Sequence, residues 1–199
     1  MKIIAATKNK NKLREFGEIL KGFEIVSQED AGVDLDVEET GTTFEENSLL
    51  KAKAIFEATG IPAIADDSGL CVDALGGEPG VYSARYGGEG LDDAGRTALL
   101  LKNMKDIPDK KRTARFVCVI TLVGNEGIIT ARGECEGSIN YAPKGENGFG
   151  YDPVFYMEEY KKTTAQMSPD EKNAVSHRGK ALKIFAQKLE NKEYKKVPQ

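Results

Sequence analysis

"TARFVCVITLV", residues 113 to 123, is apolar at both its odd and its even positions, and that feature selects the fold class. Side chains of a strand alternate between its two faces, so a run that is apolar on both must be covered on both. The segment is expected in the middle of a sheet with helices packed on it. "GNEG" (124 to 127) supplies a turn. "IITARGECEGSI" (128 to 139) follows, with Thr130, Arg132, Glu134 and Glu136 at alternate positions, the pattern of a strand with one wet face. The two runs read as a hairpin.

Working outward, "KIIAAT" (2 to 7) reads as a buried strand. Beyond "KNKNK", Leu13, Phe16, Ile19, Leu20 and Phe23 recur at helical spacing. "TTFEENSLLKAKAIFEAT" (42 to 59) opens with Thr43 and Glu46 at capping-box spacing and closes on Gly60 with Pro62 beyond, which predicts a helix of about four turns. "PAIA" and "LCVDAL" are expected as two short strands on either side of a "DDSG" turn. "DDAGRTALLLKNM" (92 to 104) is helix-like, and Ser168, Pro169 and Glu171 mark another helix start. Ala181, Leu182, Phe185 and Leu189 form the apolar stripe of a last helix, and whether Ser176 caps it separately stays open. This order predicts an α/β fold: a mixed central sheet flanked by helices, with two lobes and a central cleft for the site. No repeat or low-complexity tract interrupts it, so residues 1–199 are expected to form a single bilobed domain.

The composition, 40% hydrophobic and 30% charged over 199 residues, is that of an ordinary globular chain. No apolar stretch approaches the ~20 residues needed to span a bilayer, and "MKIIAATKNK" has too short an apolar segment for a secretory signal. A cytoplasmic protein without a membrane partner is expected. Net charge is -4, from 28 Lys plus Arg against 32 Asp plus Glu, which argues against a nucleic acid polymer as main partner. Cys71, Cys118 and Cys135 are odd in number, lack CxxC spacing and sit in apolar contexts, so buried inert thiols are expected. With His177 the single histidine, a multi-His metal site is excluded, and a Ser-His-Asp triad would have to use it. Carboxylates are the available alternative.

Four constellations could carry chemistry. "TKNKNK" (7 to 12) lies between a strand end and a helix start, where free N–H groups and the helix dipole favour an anion. A solvated lysine-rich turn accounts for that segment equally, since it lacks the glycine framework of a P-loop. The second is acidic: Glu38, Glu39, Glu45, Glu46, Asp66 and Asp67. Mg2+ takes oxygen ligands and is usually held by one or two carboxylates plus waters and phosphate oxygens. Glu45 and Glu46 also suit a capping role. Adjacent Asp66 and Asp67 resist a turn-only reading: two unit charges about 4 Å apart cost ~4 kcal/mol near a surface, which a dication offsets. Third, "ENGFGYDPVFY" (146 to 156) is punctuated by glycine and carries Phe149, Tyr151 and Asp152. Such a loop lets a base approach the backbone and stack, although aromatics beside glycine turns commonly edge a core. Fourth, "EKNAVSHRGKA" (171 to 181) places Lys172, His177 and Arg178 within two helical turns.

Together "TKNKNK", "TTFEENSLLKA", "ADDSGLCVDALGGEPGVYSARY", "GFGYDPVF" and "SHRGKAL", collinear from residue 3 to about 190, resemble the inosine triphosphatase family, the non-standard purine nucleoside triphosphate pyrophosphatases. The resemblance implies a homodimeric, Mg2+-dependent enzyme that hydrolyses ITP, dITP and XTP to the monophosphate and pyrophosphate. It places the phosphate loop on Thr7, Lys8, Asn9, Lys10, Asn11 and Lys12, a further site lysine on Lys51, and the acidic metal residue on Glu39. Asp67 matches the metal ligand and catalytic proton acceptor, with Asp66 beside it. Base-side contacts fall on Ser68, on Phe149, Gly150, Tyr151 and Asp152, and on Lys172, His177 and Arg178. Whether Asp67 acts directly or through bound water is left open. Two rivals remain: a Mg2+-dependent phosphomonoesterase, which would release orthophosphate, and a non-catalytic nucleotide- or RNA-binding module, which would show no turnover.

Overall fold

The computed structural model describes residues 1–88 and 90–196, except for the side chain of Asn11. The strands are β1 (Lys2–Ala5), β2 (Glu24–Ser27), β3 (Ala63–Val72), β4 (Thr113–Gly124), β5 (Gly127–Ile139), β6 (Phe155–Met157) and β7 (Lys162–Thr163). The α-helices are α1 (Lys10–Ile19), α2 (Phe44–Thr59), α3 (Asp93–Asn103), α4 (Pro169–Val175) and α5 (His177–Glu190). The strands form one sheet in the order β2-β1-β3-β4-β5-β6-β7. β1 runs parallel to β2 and β3, whereas β6 runs antiparallel to β5 and β7, so the sheet is mixed. β4 takes the central place its two-sided apolar pattern predicts, and it is buried from Phe116 to Gly124.

The chain divides into two compact units. The first holds Met1–Asp67, Cys118–Gly133 and the chain from Lys180 on. Strand periodicity sorts its core into two clusters. Ile3, Ala5, Ile64, Cys118 and Ile120 pack with Phe16 of α1, with Leu20 just beyond it, and with Leu182 and Phe185 of α5. Ile4, Ala63, Ala65 and Val123 pack instead with Ala52 and Ile55 of α2. Truncating fully buried Phe16 or Phe185 to Ala would cost ~3–5 kcal/mol. α2 begins at the expected capping box: the Thr43 hydroxyl accepts from Glu46 N at 3.1 Å, and the Glu46 carboxylate accepts from Thr43 N at 3.2 Å. It ends at Gly60, whose φ of 66° is left-handed.

The second unit holds Ser68–Val117 and Glu134–Gly179. Its core gathers Leu70, Val72, Leu100, Met104, Phe116, Val154, Phe155 and Met167. Arg112, almost fully buried, hands its donors to carbonyls: Nε to Ile139 and Nη1 to Met104, both at 2.7 Å, and Nη2 to Asn140 at 3.2 Å. It thereby ties the end of α3 to β4 and to the end of β5.

Three local expectations are corrected. The "DDSG" segment is not a turn between two strands: β3 runs unbroken from Ala63 to Val72, and a 3-10 turn at Asp73–Leu75 follows it. The strand lies between β1 and β4 in the sheet, and side-chain alternation sends Asp66 and Asp67 to opposite faces, where Lys12 meets the first and Lys51 the second. The loop between β1 and α1 is shorter than expected, because Asn9 Oδ1 accepts from Lys12 N at 3.3 Å and α1 starts at Lys10. Phe23 lies beyond that helix and packs on the core from the following turn. α4 and α5 are separate helices, and Ser176 does cap the second, its hydroxyl accepting from Gly179 N at 3.0 Å. The edge strands β2 and β7 were not anticipated; they are four and two residues long, too short to show a period.

Candidate active site

The first group of site residues lies within the first unit, around the middle of β3. Asp66 and Asp67 are 1% and 5% exposed. Lys12 of α1 brings its ammonium to 2.9 Å from Asp66 Oδ1. On α2, Lys51 stands one turn after Asn47, and both meet Asp67: Asn47 Nδ2 donates to Oδ2 at 3.1 Å, and Lys51 Nζ lies 3.9 Å from Oδ1. Lys51 also donates to Glu39 Oε1 at 2.5 Å, so two carboxylates from distant segments converge on one ammonium. Burial pushes the Asp67 carboxyl up to about 6 against the pull of Lys51, and Glu39 adds to the rise. Burial alone would lower Lys51, but Asp66, Asp67 and Glu39 together raise it, so it stays a cation.

This arrangement suits a hard cation. Burial is the main cause of the rise in Asp67, and the Glu39 carboxylate, which shares Lys51 with it, adds to that rise. Among the described residues no group of three or more His, Cys, Asp or Glu is placed to hold a metal ion. Mg2+ held by one or two carboxylates, waters and phosphate oxygens needs no such group. Glu45 and Glu46 belong to the local frame: Glu45 pairs with Arg132 at 2.8 Å, and Glu46 closes the capping box.

At the end of β1, Asn9 N donates to the Thr7 hydroxyl at 3.1 Å, which folds the chain tightly into the start of α1. Lys8 and Lys10 are exposed there, and the Asn11 side chain lies outside the described residues. Backbone N–H groups at such a helix start offer an anion a partner.

The second group lies within the second unit. Arg178, 5% exposed, donates to the Ser68 hydroxyl at 3.3 Å. His177 stacks on Phe116, ring centroids 4.9 Å apart. Lys172 donates to Asp152 Oδ2 at 2.6 Å while its ammonium stands 4.8 Å from the Phe149 ring centroid. Phe149 itself is 46% exposed, an aromatic face available for stacking. Two expected contact residues are occupied by the fold. Tyr151 is buried with its hydroxyl donating to Ser83 O at 2.9 Å, and burial raises its pKa strongly. Asp152 accepts from Phe149 N and from the Thr164 hydroxyl, both at 2.8 Å, so it braces the loop and anchors Lys172.

Sequence reasoning placed Asn47 on the face of Lys51 but did not see its bond to Asp67; the spacing of four along a helix was the available signal. It read "DDAGR" only as a helix start. In the structure Asp93 Oδ2 accepts from Gly150 N at 2.8 Å, and the Thr97 hydroxyl donates to Gly150 O at 3.3 Å. Cys118 and Cys135 are buried and Cys71 half-buried, and none of the three is in a disulfide. No helix among the described residues is long and apolar enough to cross a membrane.

The sequence pattern described as the Ham1 family matches residues 3–188. The chain is similar to a dITP/XTP pyrophosphatase of Bacillus cereus, 50% identical over 192 residues that cover 94% of each chain. It is 48% identical over 195 residues to a dITP/XTP pyrophosphatase of Escherichia coli strain K12, covering 96% of this chain and 98% of that one. Its structure resembles that of the Staphylococcus aureus Ham1 protein with a TM-score of 0.90 at 42% identity, over 96% of this chain and 100% of the other.

Proposed function

We propose that this chain, which belongs to the Ham1 family, cuts the α–β phosphoanhydride of its substrate with Asp67 as proton acceptor and with Glu39 and Asp67 as carboxylate ligands for Mg2+. The reaction is hydrolysis of non-standard purine nucleoside triphosphates, ITP, dITP and XTP, to the monophosphate and pyrophosphate. The observation that carries the assignment is the convergence of Glu39 and Asp67 on Lys51, with the Asp67 carboxyl pushed up to about 6.

Glu39 and Asp67 would hold Mg2+, which would supply positive charge to offset the negative charge gathering on the leaving pyrophosphate. Asp67, with a pKa near the working pH and one oxygen fixed by Asn47, takes the proton of the attacking water. Oxygen from that water joins the α-phosphorus, the bridging oxygen leaves with pyrophosphate, and no covalent intermediate forms. Lys51 and Lys12 neutralise phosphate charge, and the segment from Thr7 to Lys12, Lys8, Asn9, Lys10 and Asn11 included, offers N–H groups, a hydroxyl and cations to the triphosphate.

Arg178, Ser68, His177, Lys172 and Phe149 are assigned to the base. Hypoxanthine and xanthine present a 6-oxo acceptor where adenine presents a 6-amino donor. Arg178, a donor buried at 5% exposure, would face another donor in the adenine complex, and an unpaired polar group in a desolvated pocket costs ~1–3 kcal/mol. Homodimeric assembly and a cytoplasmic location complete the proposal on the strength of the sequence resemblance, and sedimentation of the purified chain tests the first.

A panel of nucleoside triphosphates with Mg2+, scored for pyrophosphate, tests the function. ITP, dITP and XTP should be cut and ATP spared. Orthophosphate as the product would point to a phosphomonoesterase, and absence of Mg2+-dependent turnover to a binding module.

A further inference from the structure

The turn that carries Phe149 is held at consecutive backbone groups. Phe149 N–H donates to the Asp152 carboxylate at 2.8 Å, and the Phe149 carbonyl accepts from Asp152 N at 3.2 Å. The next residue, Gly150, is held from outside the turn. Its N–H donates to Asp93 at 2.8 Å, and its carbonyl accepts from Thr97 at 3.3 Å, both side chains belonging to the first turns of α3. Asp93 is itself held: Arg96 Nη2 lies 2.5 Å from its other oxygen, and Arg96 Nη1 donates to the Leu91 carbonyl.

A turn that presents an aromatic ring has a particular need for such tethers. Gly148 and Gly150 have φ of 79° and 60°, so the backbone on either side of Phe149 is in the left-handed region, where glycine gives it wide freedom. With that freedom unrestrained, a 46%-exposed ring would sample many directions, and stacking on a base would have to order it at the cost of affinity.

We propose that Asp93, backed by Arg96 and paired with Thr97, is a positioning residue that fixes the Phe149 ring for stacking on the purine. The inference rests on the assignment of Phe149 to the base made above. Asp93 touches neither substrate nor metal in this account; it acts through Gly150.

The test is a double-mutant cycle on KM and kcat for ITP with Mg2+, using Asp93→Ala, Asp93→Asn, Phe149→Ala and the combination of Asp93→Ala with Phe149→Ala. Loss of an ordered stacking face should raise KM about 10-fold in Asp93→Ala and in Phe149→Ala, with kcat within about 2-fold of wild type. Asp93→Asn keeps an oxygen to accept from Gly150 N and should restore most of the affinity. In the Phe149→Ala background, Asp93→Ala should add less than about 2-fold, because the ring it positions is gone. Should Asp93→Ala not fold, Thr97→Val takes its place in the cycle by removing the second tether. Independent, multiplying effects on KM overturn the inference, as does a fall in kcat with KM unchanged. If Phe149→Ala raises KM and Asp93→Ala does not, the inference falls and the base assignment stands. If Phe149→Ala leaves KM unchanged, both fall.

Discussion

Asp66 and Asp67 are neighbours in the chain, yet they meet different lysines, Lys12 at 2.9 Å and Lys51 at 3.9 Å. The alternation of β3 separates their environments, and the Lys51 ammonium that Asp67 faces is also held by Glu39. That difference gives the two residues different expected roles: Asp66 anchors Lys12, and Asp67 handles the proton. Asp67→Asn keeps shape and volume but removes the base, so steady-state turnover of ITP should fall at least ~100-fold while circular dichroism reports an intact fold. Near-normal turnover would remove the role. Arg178→Ala should narrow the ratio of ITP to ATP turnover and leave the ratio of ITP to GTP unchanged, since guanine carries the same 6-oxo group; kcat/KM for the three nucleotides reads this directly. Glu39, Asp67 and Arg178 could be singled out in the sequence as charged candidates, and Lys51 through the family resemblance, and their roles are those proposed above. Asp93 could not be, because its contact is to a backbone N–H 57 positions away, and nothing in local spacing reports such a partner.

Among elements, β3 is where local reading and tertiary structure part. Two acidic residues, a serine and a glycine look like a turn by propensity. In the sheet the segment continues a strand that lies between β1 and β4, and the buried charges are met by lysines from α1 and α2. Tertiary pairing overrides propensity there. α2, by contrast, was legible from cap to cap, because the capping box and the left-handed glycine are local signals. Thr43→Ala should therefore cost ~1 kcal/mol in urea unfolding, a loss confined to helix capping. Lys12→Met should cost more, on the order of 3 kcal/mol, because it strands the charge of Asp66 at 1% exposure. Adding Asp66→Asn to Lys12→Met should recover most of that loss. If the two losses simply add, the pair does not stabilise β3 in the way described.

For the whole molecule, a carboxyl held above its ordinary range makes stability depend on pH in a definite direction. Asp67 ionises near 3.8 when unfolded and near 6 when folded, so between these values the native state binds more protons than the unfolded state. Its contribution to stability is therefore present at low pH, falls as pH rises through this window, and is flat above it. A separation of roughly two pKa units corresponds to on the order of 3 kcal/mol of destabilisation at neutral pH. Other carboxylates titrate in the same range, so the quantity to follow is the difference between wild type and Asp67→Asn in chelator. The variant should be the more stable at pH 7.5, by up to ~3 kcal/mol or roughly 6–12 °C in Tm, and the difference should vanish towards pH 4. Adding Mg2+ at pH 7.5 should raise the Tm of wild type more than that of the variant, because a cation beside Asp67 and Glu39 favours the ionised form. A stability difference independent of pH would mean that Asp67 is an ordinary carboxylate, and the fold would then not be holding it ready for a proton.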